Sequence, residues 1–517
     1  MPSPQLPIGI QSFEKIRNEG YYYVDKTPYI AELAQKGAYY FLSRPRRFGK
    51  SLFIDTLACA FSGKKELFSG LYLDTPESGW DFEKTYPVIK ISFAQRVNRS
   101  SAELSEYLTR IIAQEAAKYG LTIDHTISSG FQLEDLIREL FKKTGNKVVL
   151  LVDEYDKPIL DNLHDQEVAS ELREDLKSFY SIIKDLDPFL AFVMLTGVSK
   201  FAKTGIFSGL NNLKDITLDS RYSAICGYTQ TDLEQIFTDH LSRFDKDEVK
   251  RWYNGYSWTG ESVYNPFDIL LLFDEGTFKP YWFETGTPTF LMKLWESNPR
   301  LPADYEELIA GTDLLGSFDP EYIRIETLLF QAGYLTIKKW SADPVRGFMC
   351  WLGYPNVEVR TSLNTLFAEV LAKQEISKNR EMLYDILERE DPSQVQKVFS
   401  SFFASIPHDW YRKNQLSQFE GYYASIVYTY FASLGYEVIP EDTTNKGRID
   451  LTVKTKTSIW IFEFKVSESS ASGNKSPLSQ VRKKKYREKY ESDGRKIFEI
   501  GIVFNPLTRN IDYWEVQ

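Results

Sequence analysis

Arg44-Pro45-Arg46-Arg47-Phe48-Gly49-Lys50-Ser51 has the spacing of the phosphate loop G-x-x-x-x-G-K-[ST], with Arg44 standing where the first glycine would be. Such a loop holds phosphate because backbone N–H groups at a helix start face the anion and add their partial positive charge to that of the lysine. In this reading Gly49 lets the backbone approach, Lys50 holds the β- and γ-phosphates, and Ser51 ligates Mg²⁺. Arg44 is a departure from the general pattern, since arginine is less free than glycine at positive φ. For Arg44, Arg46 and Arg47 two readings stand side by side, a clamp on phosphate or pairing with an acidic surface.

About 100 residues downstream, Val148-Val149-Leu150-Leu151-Val152-Asp153-Glu154 is an apolar run that ends in two carboxylates. Asp153 is placed to hold Mg²⁺ directly or through water, and Glu154 to polarise the attacking water. The next apolar run ends at Thr196, with Ser199 just beyond, where a hydroxyl can sense the γ-phosphate. Taken singly, Gly49-Lys50-Ser51 is an ordinary helix start and Asp153-Glu154 a solvated strand end. Their order and context together point to ATP as the ligand and to its hydrolysis.

A second constellation lies near the C-terminus, where Arg448-Ile449-Asp450-Leu451-Thr452-Val453 is followed by a polar turn at 454 to 457 and then Ile459-Trp460-Ile461-Phe462-Glu463-Phe464-Lys465. Strand side chains alternate, so Glu463 and Lys465 emerge on one face, and a hairpin brings Asp450 beside them. Hard cations take oxygen ligands, which makes Asp450, Glu463 and the Phe464 carbonyl a site for Mg²⁺, with Mn²⁺ as an alternative. The chemistry implied is attack of a metal-activated water on a phosphodiester, with Lys465 stabilising the developing charge. Glu420 on the preceding helix is a candidate further carboxylate, its plainer reading being a charge at a helix N-terminus. A hairpin with incidental charges is the bland alternative, but a Glu inside an Ile/Trp/Phe-rich strand is costly without a partner or metal.

These residues need elements to hold them. Residues 38 to 42 read as a buried strand, followed by a helix from Ser51 to about Phe61. Pro87 to Phe93, Lys147 to Asp153 and Phe189 to Thr196 are further strands separated by helical patterns, among them 101 to 119 and 166 to 185. That alternation predicts an α/β region with a mostly parallel sheet, of the P-loop NTPase kind. From about 222 to 400 the pattern turns helical and aromatic, with a hairpin-like stretch from Tyr334 to Met349, and reads as a helical lid followed by a winged-helix-like segment. The remainder predicts a helix from Gln418 to Leu434, strands near 436 to 439, 448 to 453 and 458 to 466, a basic helix over 477 to 491, and a final strand over 496 to 504. Three domains follow from this reading, at 1–221, 222–400 and 401–517.

The net charge of −10 excludes a general basic field for nucleic acid, so any such contact needs a local patch. Arg482, Lys483, Lys484, Lys485, Arg487 and Lys489, with Gln480 and Tyr486 among them, supply one beside the second constellation, although a basic run is usually a solvated face. Three scattered cysteines suit a reducing, cytoplasmic compartment and exclude a disulfide framework or a cysteine-type zinc site. The start Met-Pro-Ser-Pro-Gln lacks a secretion-signal pattern, and no apolar run reaches the ~18 to 20 residues of a membrane span. No membrane partner is expected, while oligomerisation is compatible with the sequence.

The chain resembles a family of bacterial, archaeal and some eukaryotic proteins that pair an AAA-ATPase-like region with a C-terminal PD-(D/E)XK nuclease domain. The resemblance covers nearly the whole chain. It rests on Tyr23 to Thr27, Arg44 to Ser51, Leu151 to Asp156, Thr196 to Lys200 and Phe207 to Asn212, then on Trp252 to Tyr256, Tyr264-Asn265-Pro266, Tyr354 to Arg360, and Asp450 with Glu463-Phe464-Lys465. It implies that arginine at position 44 is usual, and that an ATPase core, a helical and winged-helix-like middle and a restriction-endonuclease-like α/β end follow in order. No chemistry follows for Trp252 to Tyr256 or Tyr354 to Arg360, where turn and packing roles are expected. Three functions fit: an ATP-regulated nuclease, an ATPase switch or scaffold whose last domain only binds nucleic acid, and an ATP-dependent DNA-binding module working with partner proteins.

Overall fold

The computed structural model describes residues 4–200, 212–284, 289–297, 300–311, 315, 324–372, 376–406, 420–467 and 477–517. All of the landmark Phe207 to Asn212 except Asn212, and the expected helix start at Gln418, lie outside them. Two compact units form, one from Met1–Phe290 and Ile309–Asn356, the other from Leu291–Leu308 and Val357–Gln517.

In the first unit the apolar runs become β1 (Tyr39–Ser43), β2 (Val88–Ser92), β3 (Val148–Asp153), β4 (Leu190–Gly197) and the short β5 (Lys214–Asp215). They form one parallel sheet in the order β2-β3-β4-β1-β5. β1 and β3 are buried along their whole length, which is why they read as unbroken apolar runs rather than alternating ones. β4 lies between β1 and β3, pairing Leu42 with Thr196 on one side and Val152 with Leu195 on the other. The C-terminal ends of three adjacent strands therefore carry Ser43, Thr196 and Asp153. Ligands of open parallel sheets bind at that edge.

Helix starts follow the local chemistry. Ser100 caps Ser101–Lys118 by accepting from the Glu103 N–H, and Asp165 caps Gln166–Ser181 by accepting from Val168. Beyond β5, Thr229 and Asp232 form a reciprocal capping box at Gln230–Ile236, and Asn265 caps Pro266–Glu275. These helices and Lys246–Tyr253 share a core that includes Leu233, Phe237, Val249, Ile269 and Phe273. β6 (Leu308–Gly311), β7 (Thr336–Asp343) and β8 (Gly347–Gly353) form a sheet in the order β6-β8-β7. The expected hairpin is β7–β8, turned where Asp343 accepts from the Val345 and Arg346 N–H groups at 2.8 Å each.

The two motifs without evident chemistry meet here. Gly255, at φ +115°, lies so close to Pro355 that a Cβ on it would stand 2.1 Å from the Pro355 carbonyl oxygen. Gly255→Ala is therefore expected to destabilise the chain by about 1–3 kcal/mol or more through overpacking and strain. Thermal denaturation checks this; an unchanged midpoint would mean that the two segments do not pack together in solution.

The second unit is built on β9 (Glu437–Thr444), β10 (Gly447–Lys454), β11 (Ser458–Val466), β12 (Lys496–Asn505) and β13 (Asn510–Val516), in the order β13-β12-β11-β10-β9. β11 and β12 are parallel and the other pairs antiparallel. The helix Glu420–Ser433 packs on this sheet through Tyr423, stacked on Phe504 at 4.3 Å, and Phe431, 5.2 Å from Phe462. The helices Val357–Ala372, Ser377–Glu388 and Pro392–Ser405 belong to this unit, so the expected boundary near 400 falls inside it.

Two expectations need correction. The basic helix over 477 to 491 is interrupted: Pro477–Lys484 is helical, Lys485 adopts a left-handed conformation at φ 50°, and a 3₁₀ turn follows at Tyr486–Lys489. Leu478 and Val481 face the core, and a continuous helix would next turn Lys485 inward. The break brings Tyr486 there instead and spares burial of an ammonium group. The last strand is β13, beyond the expected end at 504. It is a half-exposed sheet edge without the apolar run that marks a buried strand.

Candidate functional site

The phosphate loop joins β1 to the helix Lys50–Phe61, whose N-cap is Gly49 at φ 93°. Arg47, at φ 69°, is the other residue of the loop in the left-handed region. The cavity in front of the loop has a volume of about 390 Å³. Arg46, Arg47, Gly49, Lys50 and Ser51 line it, and Glu154 and Asp156 face them. Its apolar side comes from Pro7 and Ile10 near the chain start and from Tyr228, Pro266, Phe267 and Leu270. Cations and helix N–H groups on one side and apolar surface on the other suit the phosphates and the base of a nucleotide.

Lys50 is buried, and its Nζ donates to the carbonyls of Arg44 at 2.9 Å and Pro45 at 2.8 Å. Burial pulls its pKa down, while the nearby carboxylates of Asp153 and Glu154 oppose that shift. Asp153, at the end of β3, accepts from Thr196 Oγ1 at 2.7 Å. Thr196 itself is fully buried, so it orients the Asp153 carboxylate. Glu154 stands at φ 56°, a strained conformation that turns its side chain out of the buried strand and into the cavity. Burial raises its pKa and Lys50 lowers it, burial being the larger effect. A raised carboxylate suits a group that must take a proton.

Asp156 entered the sequence reading only as the end of the landmark Leu151 to Asp156, with no role given to it. Its buried Oδ2 accepts from the Val198 N–H at 3.0 Å, and from the Ser199 N–H and Oγ at 2.6 Å each. Ser199 is thereby committed to Asp156, three residues past the end of β3. Gly197 permits this approach, because a Cβ there would meet Asp156 Oδ1 and the Tyr155 ring at 2.6 Å.

The three arginines separate. Arg46 and Arg47 are exposed on the cavity wall, with the Arg47 guanidinium 4.8 Å over the Phe267 ring. Arg44 is fully buried and its guanidinium is bonded to backbone carbonyls, so neither reading from the sequence, phosphate clamp or acidic surface partner, describes its contacts.

In the second unit, β10 and β11 pair with Leu451 opposite Phe462 and Thr452 opposite Ile461, which carries Asp450 to the place across from Glu463. Asp450 Oδ2 accepts from the Phe464 N–H at 2.7 Å. Glu463 is fully buried, and its Oε1 accepts from Lys465 Nζ at 3.2 Å and from Gln480 Nε2. Lys465 Nζ also donates to the Phe464 carbonyl at 2.7 Å. The structure thus brings Asp450, Glu463, Phe464 and Lys465 to one point, with Gln480 as an added partner that the sequence marked only by position. Glu420 begins the helix Glu420–Ser433, and its side chain lies outside the described residues. Among the described residues no group of three or more His, Cys, Asp or Glu side chains is gathered for a metal. Two carboxylates and a carbonyl are nonetheless a hard-oxygen set that fits Mg²⁺ or Mn²⁺, ions that commonly keep water or substrate in their remaining positions.

The basic run is partly engaged. Lys489 pairs with the buried Asp442, and Lys485 with Glu488 at 3.4 Å. Arg482 bonds Gln517 at 2.7 Å. Among the described residues Arg482, Lys483, Lys484 and Arg487 form no ion pair. Tyr486, between them, bonds the Arg448 carbonyl at 2.7 Å, two residues from Asp450, and so fixes the basic turn beside the carboxylates.

Comparison with known proteins gives two family matches, a predicted AAA-ATPase model over residues 7–207 and a PD-(D/E)XK nuclease superfamily model over 418–514. An uncharacterized protein in the vnfD 5' region of Azotobacter chroococcum mcd 1 is 46% identical over 517 residues, covering 99% of this chain and 98% of that relative. Among solved structures, the Aeropyrum pernix ORC1 protein in complex with DNA matches at 14% identity over 66% of this chain and 91% of its own, with a TM-score of 0.25, too slight to bear on fold or ligand. No helix among the described residues is long and apolar enough to cross a membrane.

Proposed function

Because the chain belongs to the family that joins a predicted AAA-ATPase domain to a C-terminal PD-(D/E)XK nuclease superfamily domain, we propose that it binds and hydrolyses ATP at the Lys50 site and cleaves nucleic-acid phosphodiesters at the Asp450–Glu463–Lys465 site. The observation that carries the second half is the convergence of Asp450, a fully buried Glu463 and Lys465 on two paired strands. At the first site Lys50 and the helix N-terminus bind phosphate, Ser51 and Asp153 hold Mg²⁺, and Glu154 accepts a proton from the attacking water. At the second, Asp450, Glu463 and the Phe464 carbonyl hold Mg²⁺ or Mn²⁺, and Lys465 offers its charge to the phosphate oxygens. The bound cation supplies Lewis acidity and a more acidic water. Arg482, Lys483, Lys484 and Arg487 meet the nucleic-acid backbone, so binding should weaken as salt rises.

Lys50→Ala tests the first half. Loss of a charged hydrogen-bond donor is worth about 1.5–3 kcal/mol, so ATP affinity should fall roughly 10- to 150-fold. Titration with a fluorescent ATP analogue measures it, and equal affinity in the variant would remove the loop from the nucleotide site. A second reading, an ATP-dependent switch or scaffold that binds nucleic acid without cutting it, draws on the presence of only two carboxylates at the C-terminal site among the described residues.

A further inference from the structure

Arg44 replaces the first glycine of the phosphate-loop pattern, yet its backbone is not in the left-handed region, where the described loop residues are Arg47 and Gly49. The position makes no use of glycine's conformational freedom. Its side chain is 0% exposed, and the guanidinium donates to the carbonyls of Ser43 at 2.8 Å, Thr217 at 3.0 Å and Tyr222 at 2.9 Å. The guanidinium also lies 4.1 Å over the Trp258 ring. Among the described residues it forms no ion pair, so carbonyl dipoles and an aromatic face meet the buried charge. The backbone of the same residue is fixed as well: its N–H donates to Gly197 at the end of β4, and its carbonyl accepts from Lys50 Nζ at 2.9 Å. One residue thus joins the ends of β1 and β4, the chain after β5, and the lysine that faces the nucleotide cavity.

Resting on the nucleotide reading of this site, we propose that Arg44 is a positioning residue: its buried guanidinium, clasped by the Thr217 and Tyr222 carbonyls and Trp258, sets the phosphate loop and Lys50 for ATP without touching the nucleotide. Restoring the glycine of the general pattern then harms binding. Lysine is no substitute, since one ammonium cannot reproduce a planar fork that reaches three carbonyls and stacks on a ring.

The test is titration of the full chain with a fluorescent ATP analogue, well below each variant's unfolding temperature, for wild type, Arg44→Gly, Arg44→Lys, Trp258→Leu and the double variant Arg44→Lys/Trp258→Leu. Each single change is expected to raise Kd roughly tenfold, and the double variant no more than either alone, because both break one assembly. A role confined to stability would lower the unfolding temperature and leave Kd of the folded chain unchanged. That result, or a double variant whose losses multiply to about a hundredfold, overturns the proposal. If Arg44→Gly does not fold, Arg44→Lys and Trp258→Leu decide the matter. A folded wild type that binds no nucleotide overturns the underlying site reading instead.

Discussion

Lys465→Ala is expected to slow metal-dependent phosphodiester cleavage by roughly 10²- to 10³-fold, the usual loss when one donor to a developing oxyanion is removed, while ATP hydrolysis stays at the wild-type rate. Lys465 reaches its position because the two-residue period of β11 puts it on the same face as Glu463. Its Nζ is held by Glu463 Oε1 and the Phe464 carbonyl, two of the proposed metal-holding oxygens. The Lys465 side chain is 34% exposed, which leaves it open to a substrate phosphate, whereas Glu463 beneath it is sealed from solvent. On the proposed reading, removing the lysine would take away charge stabilisation at the scissile phosphate, and it also removes the cationic partner of a buried carboxylate. Metal titration separates the two effects: unchanged Mn²⁺ affinity with lost cleavage assigns the lysine to the reacting phosphate. Full cleavage in the variant would remove it from the site.

Glu154→Gln should lower ATP turnover by roughly 10²- to 10⁴-fold, the range for loss of a general base, with ATP affinity within a few-fold of wild type. The amide keeps the shape and the strained backbone of Glu154 but cannot take a proton from water. Asp153 keeps its bond from Thr196 and Lys50 its bond to the Arg44 carbonyl, so the groups proposed to hold Mg²⁺ and phosphate stay in place. Single-turnover hydrolysis and equilibrium binding measured on one preparation distinguish this outcome from misfolding. Equal turnover in the variant would move the base elsewhere, Asp156 being the other carboxylate on the cavity wall.

What could be read in advance, and what could not, divides by distance along the chain. β1 and β3 announce themselves as buried apolar runs, and the loop is local to one strand and one helix. The pairing of Asp450 with Glu463 and Lys465 follows from strand alternation across a short turn. Arg44 could not be read this way: its acceptors Thr217 and Tyr222 lie 173 and 178 residues away. Asp156 and Ser199 are likewise 43 residues apart. The apolar wall of Pro7, Ile10, Tyr228 and Pro266 comes from segments with no phosphate-binding signature. The break at Lys485 was hidden because basic residues are good helix formers, and only the buried position of Tyr486 dictates it. The meeting of Gly255 with Pro355 gives a packing reason for two motifs from whose residues no chemistry followed.

The most direct measurement is incubation of the wild-type chain with end-labelled single- and double-stranded DNA and RNA in Mg²⁺ or Mn²⁺, with and without ATP. Cleavage of at least one substrate, abolished by a chelator and altered in rate by ATP, is the predicted result. A folded chain that binds metal and nucleotide yet leaves all four substrates intact under every condition would contradict it.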